Sequence, residues 1–309
     1  MTPVRIGTRA SLLARTQSQW VADALGVPTE LVPITTEGDV NLAPLEQIGG
    51  TGIFVSAVRE ALLEGRIDLA VHSMKDLPTA PAEGIALAAT PTREDPRDAL
   101  CSREGFGLSE LPAGARVGTG SPRRASQLLV ARPDLEVVGI RGNVDTRLGR
   151  LADLDAVVLA AAGLHRAGRQ QAISEYLDPT MMLPASAQGI LAVECRAEEL
   201  DSQAMGPRAA RTLHDAATEA CAEAERSFLA TLEAGCTAPV GALAQVSGRG
   251  LALRGMAAHT DGSGRLTGEI AGSVEEAREL GARLARQLLE DGAAELISGS
   301  GTGNDQLRS

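Results

Sequence analysis

Two stretches of this chain are repeated in order further along, and that doubling restricts the fold more than any other feature. Ala115-Arg116-Val117-Gly118-Thr119-Gly120-Ser121 echoes Val4-Arg5-Ile6-Gly7-Thr8-Arg9-Ala10, and Leu154-Asp155-Ala156-Val157-Val158-Leu159-Ala160 echoes Ile67-Asp68-Leu69-Ala70-Val71. The first pair reads as a short strand turning into an Ala/Leu/Gln-bearing helix, the second as a buried strand. Recurrence in the same order predicts two related α/β lobes. Between them, Thr92-Arg93-Glu94-Asp95-Pro96-Arg97-Asp98 is charged and broken by proline, as a crossing segment would be. A return crossing is expected at Leu183-Pro184-Ala185-Ser186-Ala187-Gln188-Gly189, after which the strand-like run Ile190 to Cys195 rejoins the first lobe. Two crossings imply a hinged cleft, and two-lobed proteins of this kind hold their ligand between the lobes.

Elsewhere the pattern is helical or turn-like. Leu13, Trp20 and Ala24 share one face of a first helix, Leu31 to Thr35 is a second strand, and Thr36 to Gly52 is a long loop before a helix from Ile53 to Gly65. Residues 209 to 234 read as one alanine-rich helix with Leu213, Ala217, Ala220, Ala224, Phe228 and Leu232 on its stripe, stopped by Gly235 as a C-cap glycine. Strands at Gly241 to Val246, Leu251 to Ala258 and Arg265 to Ala271 follow, and Ser273-Val274-Glu275-Glu276 is a capping box opening a helix to about Asp291. The expected architecture is α/β throughout. Domain 1 takes residues 1–92 with 190–208, domain 2 takes 97–184, domain 3 takes 209–297 as a small α+β unit, and 298–309 form a disordered tail.

Charge and cysteine usage narrow the partners. Lysine plus arginine (29) against aspartate plus glutamate (40) leaves a net charge of −11, and aromatics are only 2% of the chain, so neither a long phosphate backbone nor stacked bases suit it. His72, His165, His214 and His259 are scattered without ligand spacing, so no metal is expected. No membrane-length apolar run is present, and the N-terminus leads into a strand without the pattern of an export signal. Cys101, Cys195, Cys221 and Cys236 show no CxxC spacing, so thiols in a cytoplasmic protein are the expectation.

Three places could carry chemistry. The apolar run from Ile67 ends in His72-Ser73-Met74-Lys75-Asp76-Leu77-Pro78, which delivers Lys75 and Asp76 to the carboxyl edge of a buried strand; an ordinary surface ion pair is the competing reading. Arg9, Arg123, Arg124, Arg141, Arg147 and Arg166 fall at strand ends and helix starts. With the hydroxyls of Thr119 and Ser121 they suit carboxylates or phosphates, which in an acidic protein points to a small polyanion. Gly118-Thr119-Gly120 and Gly49-Gly50-Thr51-Gly52 complete no nucleotide loop, which removes a nucleotide-dependent transferase. Cys236 follows a helix C-terminus, where the dipole disfavours thiolate, so it reads either as a buried small residue or as a permanent attachment point.

Taken together, Arg9-Ala10-Ser11, Gly52-Ile53-Phe54-Val55, Ala70 to Pro78, Arg93 to Asp98, Ser121-Pro122-Arg123-Arg124, Arg141-Gly142-Asn143-Val144-Asp145-Thr146-Arg147 and Glu233-Ala234-Gly235-Cys236 resemble the hydroxymethylbilane synthase (porphobilinogen deaminase) family in order and spacing. The resemblance covers nearly the whole chain. It implies two type II periplasmic-binding-protein-like lobes with a double crossover plus a small third domain, and a dipyrromethane cofactor joined by a thioether to Cys236. It implies a transferase that deaminates four porphobilinogen molecules, joins them head to tail on that cofactor and releases hydroxymethylbilane with water, for tetrapyrrole, porphyrin and haem biosynthesis. The catalytic carboxylate falls on Asp76, and the groups for carboxylate arms on Arg9, Ser11, Ser73, Lys75, Thr119, Ser121, Arg123, Arg124, Arg141, Arg147, Arg166 and Gln188. Gly50, Thr51 and Phe54 fall in a lid, with Thr51 where many relatives carry lysine. A monomer binding neither nucleic acid nor membrane is implied. The two lobes alone would equally suit a non-catalytic two-lobed binding protein for an anionic solute, for which a cysteine-bearing third domain would be surplus.

Overall fold

The structure, a computed structural model, describes residues 2–35, 52–234 and 238–298, with the backbone alone for 52–54. In chain order the first elements are β1 (Val4–Arg9), α1 (Leu12–Ala24), β2 (Thr29–Ile34), α2 (Gly52–Leu63), β3 (Leu69–Ser73) and β4 (Ile85–Ala89). Next come β5 (Asp98–Ser102), β6 (Arg116–Thr119), α3 (Pro122–Ala131), β7 (Glu136–Gly139), α4 (Val144–Gly149), β8 (Ala156–Ala160), α5 (Ala161–Arg166) and β9 (Glu175–Tyr176). The chain then forms β10 (Leu191–Arg196), α6 (Met205–Ala210), α7 (Ala216–Thr231), β11 (Val240–Ser247), β12 (Gly250–Ala258), β13 (Arg265–Ser273), α8 (Ala277–Glu290) and α9 (Ala293–Ser298).

Two compact units result, residues 1–94 with 190–219 and residues 95–189 with 220–309. The first holds a sheet of order β2-β1-β3-β10-β4 and the second a sheet of order β7-β6-β8-β5-β9. The plans coincide: three parallel strands, then one antiparallel strand supplied by the chain as it enters the unit, then an edge strand. This is the pair of α/β lobes that the repeated sequence predicted.

The repeat holds at atomic detail. Arg5 N donates to Asp68 Oδ2 at 2.8 Å while Asp68 N donates to Arg5 O at 2.8 Å; in the second lobe Arg116 N donates to Asp155 Oδ2 at 2.8 Å and Asp155 N to Arg116 O at 3.0 Å. Each carboxylate thus satisfies a strand-end N–H that the ladder leaves open. Arg5 also brackets Asp68 through Nη2 at 2.7 Å. Burial alone would raise the Asp68 pKa, but the Arg5 hydrogen bonds hold it below the usual carboxylate range. One strand position later than its isoleucine or valine, Gly7 leaves room for Ile67 Cδ1 and Gly118 for Leu154 Cδ1, which lies 2.7 Å from where a Cβ would stand.

Within the second unit the C-terminal part is an antiparallel sheet of order β11-β12-β13 under α7 and α8. Phe228 of α7 is fully buried between Gly255 and Gly281, whose missing side chains let helix meet sheet and helix meet helix. Ala242 N donates to Pro184 O at 3.0 Å, tying this sheet to the return crossing.

Several expectations need correction. The segment 209–234 is not one helix: α6 ends at Ala210, a 3-10 turn spans Arg211–Leu213, and His214 is extended (φ −68°, ψ 133°). Asp215 Oδ1 accepts from Thr218 N at 2.7 Å and caps α7 afresh, an option the alanine periodicity concealed. Gly235, the expected C-cap glycine, lies outside the described residues. Glu233 takes the left-handed position (φ 51°), with Glu233 N donating to Ala230 O and Ala234 N to Leu229 O, a Schellman closure two residues earlier. On α1 the buried face is Gln17, Ser18, Val21 and Ala22, and Trp20 is 50% exposed. The core side lies about a quarter turn from the Leu13-Trp20-Ala24 stripe because Gln17 must reach Ser73. Regular structure also continues through α9 to Ser298, and residues 299–309 lie outside the described residues.

Replacing Gly7 or Gly118 with alanine forces a methyl group into a filled core, so each variant loses about 1–3 kcal/mol. Urea unfolding checks this as a lowered midpoint at unchanged slope.

Candidate functional site

In the first unit the chain leaves the sheet at Ser73 and enters a 3-10 turn over Met74–Asp76. Met74 N donates to Ile190 O at 2.9 Å and Leu77 N to Met74 O at 3.0 Å. The apolar residues of this turn, Met74 and Leu77, are buried, so the polar pair between them is pushed outward: Lys75 is half-buried and Asp76 exposed. Arg9 closes the neighbouring parallel strand β1. Ser11 caps α1, its hydroxyl accepting from Ala14 N at 3.3 Å, and Ser73 Oγ accepts from Gln17 Nε2 at 2.8 Å.

Beneath this edge lies a buried polar group that the sequence reading left among ordinary residues. Arg59 of α2 donates to Glu194 of β10 through Nε (2.9 Å) and Nη2 (2.6 Å), and His72 Nε2 stands 3.4 Å from Glu194 Oε2. Burial lowers the His72 pKa below its ordinary 6.5, with Glu194 opposing the shift. His72 is therefore a neutral ring four residues before Asp76. A lone glutamate inside the apolar run Ile190–Cys195 was the available signal, since a buried carboxylate must have a cation.

In the second unit, the carboxyl edge is built by Thr119 at the end of β6, Ser121 as the N-cap residue of α3, Arg141 just past β7, and Arg166 at the end of α5. Pro122 occupies the first turn of α3, where its missing N–H costs nothing. Thr119 Oγ1 accepts from Ser121 N at 3.3 Å. Arg141 is exposed, Arg147 lies on α4, and Arg166 Nη2 donates to Gly189 O at 2.7 Å.

Arg123 and Arg124 are buried, and both reach Asp98, which is the first residue of β5 and fully buried. Asp98 Oδ2 accepts from Arg123 Nη1 at 2.7 Å; Oδ1 accepts from Arg124 Nε at 2.9 Å, Arg124 Nη2 at 2.7 Å and Gln188 Nε2 at 2.9 Å. Burial alone would raise the Asp98 pKa, yet the two guanidinium charges and their hydrogen bonds hold it well below the usual carboxylate range. Reading Asp98 as part of the crossing missed this, because its partners come from 25, 26 and 90 residues away. Gln188 follows Ala187, a non-glycine in the left-handed region (φ 58°) whose N donates to buried Glu225 at 2.6 Å. Cys236, Gly50 and Thr51 lie outside the described residues, as does the side chain of Phe54.

Comparison with known proteins gives consistent matches. Residues 4–204 match the model of the porphobilinogen deaminase dipyrromethane cofactor binding domain, and 219–290 match that of the porphobilinogen deaminase C-terminal domain. A porphobilinogen deaminase of Nocardia farcinica is 56% identical over 96% of this chain and 88% of its own length. That of Thermobifida fusca is 50% identical over 99% of both chains, and that of Mycolicibacterium paratuberculosis 53% identical over 96% of this chain and 97% of its own.

The depressed His72 pKa fixes a sign for acid stability. Above 6.5 the ring is neutral folded or unfolded; below it the unfolded chain takes up a proton that the folded chain refuses, so stability falls as pH drops. Between pH 6.5 and 5, urea unfolding should show a slope of up to about 1.4 kcal/mol per pH unit that His72→Gln removes.

Proposed function

Because the chain belongs to the porphobilinogen deaminase (hydroxymethylbilane synthase) family, we propose that Asp76 is the carboxylate at which its chemistry takes place. The chain is an enzyme, a transferase of tetrapyrrole biosynthesis that deaminates porphobilinogen stepwise and joins the units on a dipyrromethane cofactor before hydrolysis releases hydroxymethylbilane. The observation that carries the role of Asp76 is its exposure on a turn whose two flanking apolar residues are buried.

The donor set fits the substrate and the cofactor. Both bear acetate and propionate arms, and the carboxyl edges of the two sheets offer Arg9, Lys75, Ser11 and Ser73 in one unit and Thr119, Ser121, Arg141, Arg147 and Arg166 in the other. The buried group of Arg123, Arg124 and Asp98 adds a net positive charge, and Arg123 Nε has no partner among the described residues. We take these groups as the holders of the arms, Cys236 as the thioether attachment point, and Gly50, Thr51 and Phe54 as a lid. When bound, the dipyrromethane supplies the pyrrole carbon to which the first unit is joined.

Loss of ammonia breaks the aminomethyl C–N bond of porphobilinogen, the electron pair leaving with nitrogen, and positive charge spreads over the pyrrole. The Asp76 carboxylate accepts a hydrogen bond from the pyrrole N–H and stabilises that charge as it forms, and Lys75 beside it meets a carboxylate arm. Cytoplasm is the compartment we assign. Cys101 and Cys195 are buried thiols outside any disulfide, their pKa values pushed up by burial to about 12 and about 11, which suits a reducing environment. Among the described residues no helix is long and apolar enough to cross a membrane.

Asp76→Asn tests the assignment. Removing one preorganised charge costs about 3–4 kcal/mol in the barrier, so kcat falls a hundred- to a thousandfold while porphobilinogen still binds. Near-normal turnover of that variant contradicts the role.

A further inference from the structure

Glu194 and His72 meet on one face of the first sheet. Glu194 of β10 lies opposite Ala70 of β3, and His72 stands two residues beyond Ala70, so both side chains point to the side where Val58, Ala61 and Leu62 of α2 pack. Arg59 comes from that helix and takes both oxygens of Glu194, donating from Nε to Oε2 at 2.9 Å and from Nη2 to Oε1 at 2.6 Å. His72 Nε2 lies 3.4 Å from Oε2, yet it is buried without a hydrogen-bond partner among the described residues.

A buried carboxylate and an imidazole at that distance ordinarily pair by protonating the ring, which becomes the counterion. Here a guanidinium, which keeps its charge at any ordinary pH, already fills that place. A proton on His72 would bring a second cation to a carboxylate that has one, and burial holds the ring's pKa below its ordinary 6.5. Among the described residues, the other charges acting on the ring are Asp76, on the turn that continues β3, and Arg9, at the end of β1. The opposite face of β3 meets α1, whose buried residues Gln17, Ser18, Val21 and Ala22 carry no charge. The influence is mutual: an imidazolium at position 72 would draw on the Asp76 charge that a developing pyrrole cation needs.

We propose that Arg59 is a positioning residue for the reaction: by gripping both oxygens of Glu194 it leaves His72 without a counterion to claim, and so keeps an uncharged ring behind the turn that carries Asp76. Arg59 touches neither substrate nor cofactor in this role and acts only through Glu194 and His72. The inference rests on the functional reading above and deepens it, since that reading uses the charge of Asp76 and Arg59 is what protects it.

The test compares the parent with Arg59→Gln, which keeps a donor for Glu194 but no charge, and Arg59→Lys, which keeps the charge but not the fork. In the full chain, the histidine Cε1–H resonances are followed by NMR from pH 8.5 to 6, His72 being identified by its loss in His72→Gln, and kcat and KM for porphobilinogen are measured over the same range. In the parent and in Arg59→Lys the His72 ring stays neutral throughout. In Arg59→Gln it takes up a proton above its ordinary 6.5, and kcat relative to the parent falls by up to about tenfold per pH unit below that point, with KM within about threefold. Both variants melt lower than the parent, so a purely structural Arg59 predicts lowered melting temperatures with parental pH profiles. That result, or a His72 ring still neutral at pH 6 in Arg59→Gln, overturns the proposal. Should Arg59→Gln not fold, a His72 ring that protonates above 6.5 in the parent or in Arg59→Lys overturns it, and neutral rings in both uphold it. A parent protein that does not consume porphobilinogen overturns the functional reading instead, and the His72 resonance still judges Arg59.

Discussion

One buried carboxylate organises the second unit. Asp98 is where the chain enters the sheet after the first crossing, Gln188 is where it is about to leave, and Arg123 and Arg124 open the helix between. All of them converge on the same two oxygens, so entry, exit and helix are fixed to each other by charge-assisted hydrogen bonds. A carboxylate at that depth is tolerated only because two guanidinium groups lower its energy more than burial raises it. Without it, two cations would face each other with no counterion, and the carboxyl edge of that sheet would lose its reference point.

The first unit solves the same problem at its own antiparallel strand. Glu194 lies on β10, the counterpart of β5, and it too is gripped by a guanidinium from a helix, Arg59 of α2, with His72 alongside. In both units the antiparallel strand is buried, so the acidic residue on it needs a partner from a helix on the sheet's face. The effect is to lock the strand next to the parallel strand end that bears the proposed site residues: β3 with Lys75 and Asp76 in one, β8 with Arg166 just beyond it in the other. Rigidity behind an exposed polar edge is what a site acting by preorganised charge requires.

How much of this could be read from the sequence depends on the range of the interaction. The lobes were legible because a strand, its glycine and its partner strand recur as a set: Gly7 with Ile67 and Gly118 with Leu154 are packing necessities that leave a mark in both copies. The Lys75-Asp76 turn was legible because Pro78 ends the strand within a few residues. Asp98 and Glu194 were not, since nothing local distinguishes a crossing aspartate or a strand glutamate from one that meets an arginine far along the chain. Helix ends failed for a different reason. Asp215 restarts a helix that alanine would have continued, and Glu233 accepts a left-handed conformation that costs it about 1–2 kcal/mol where glycine was the cheaper choice. That strain sits three residues before Cys236.

The central claim is that this chain works on a pyrrole pair tethered at Cys236, with the carboxylate arms held by cations and the chemistry at Asp76. The most direct measurement is the intact mass of the denatured protein isolated from cells that make porphobilinogen. Denaturation strips away anything held only by the arginines, so what remains is covalent. A mass increment equal to one dipyrromethane, absent from Cys236→Ser, is the predicted result. An unmodified mass, or an increment that survives Cys236→Ser, would contradict the account.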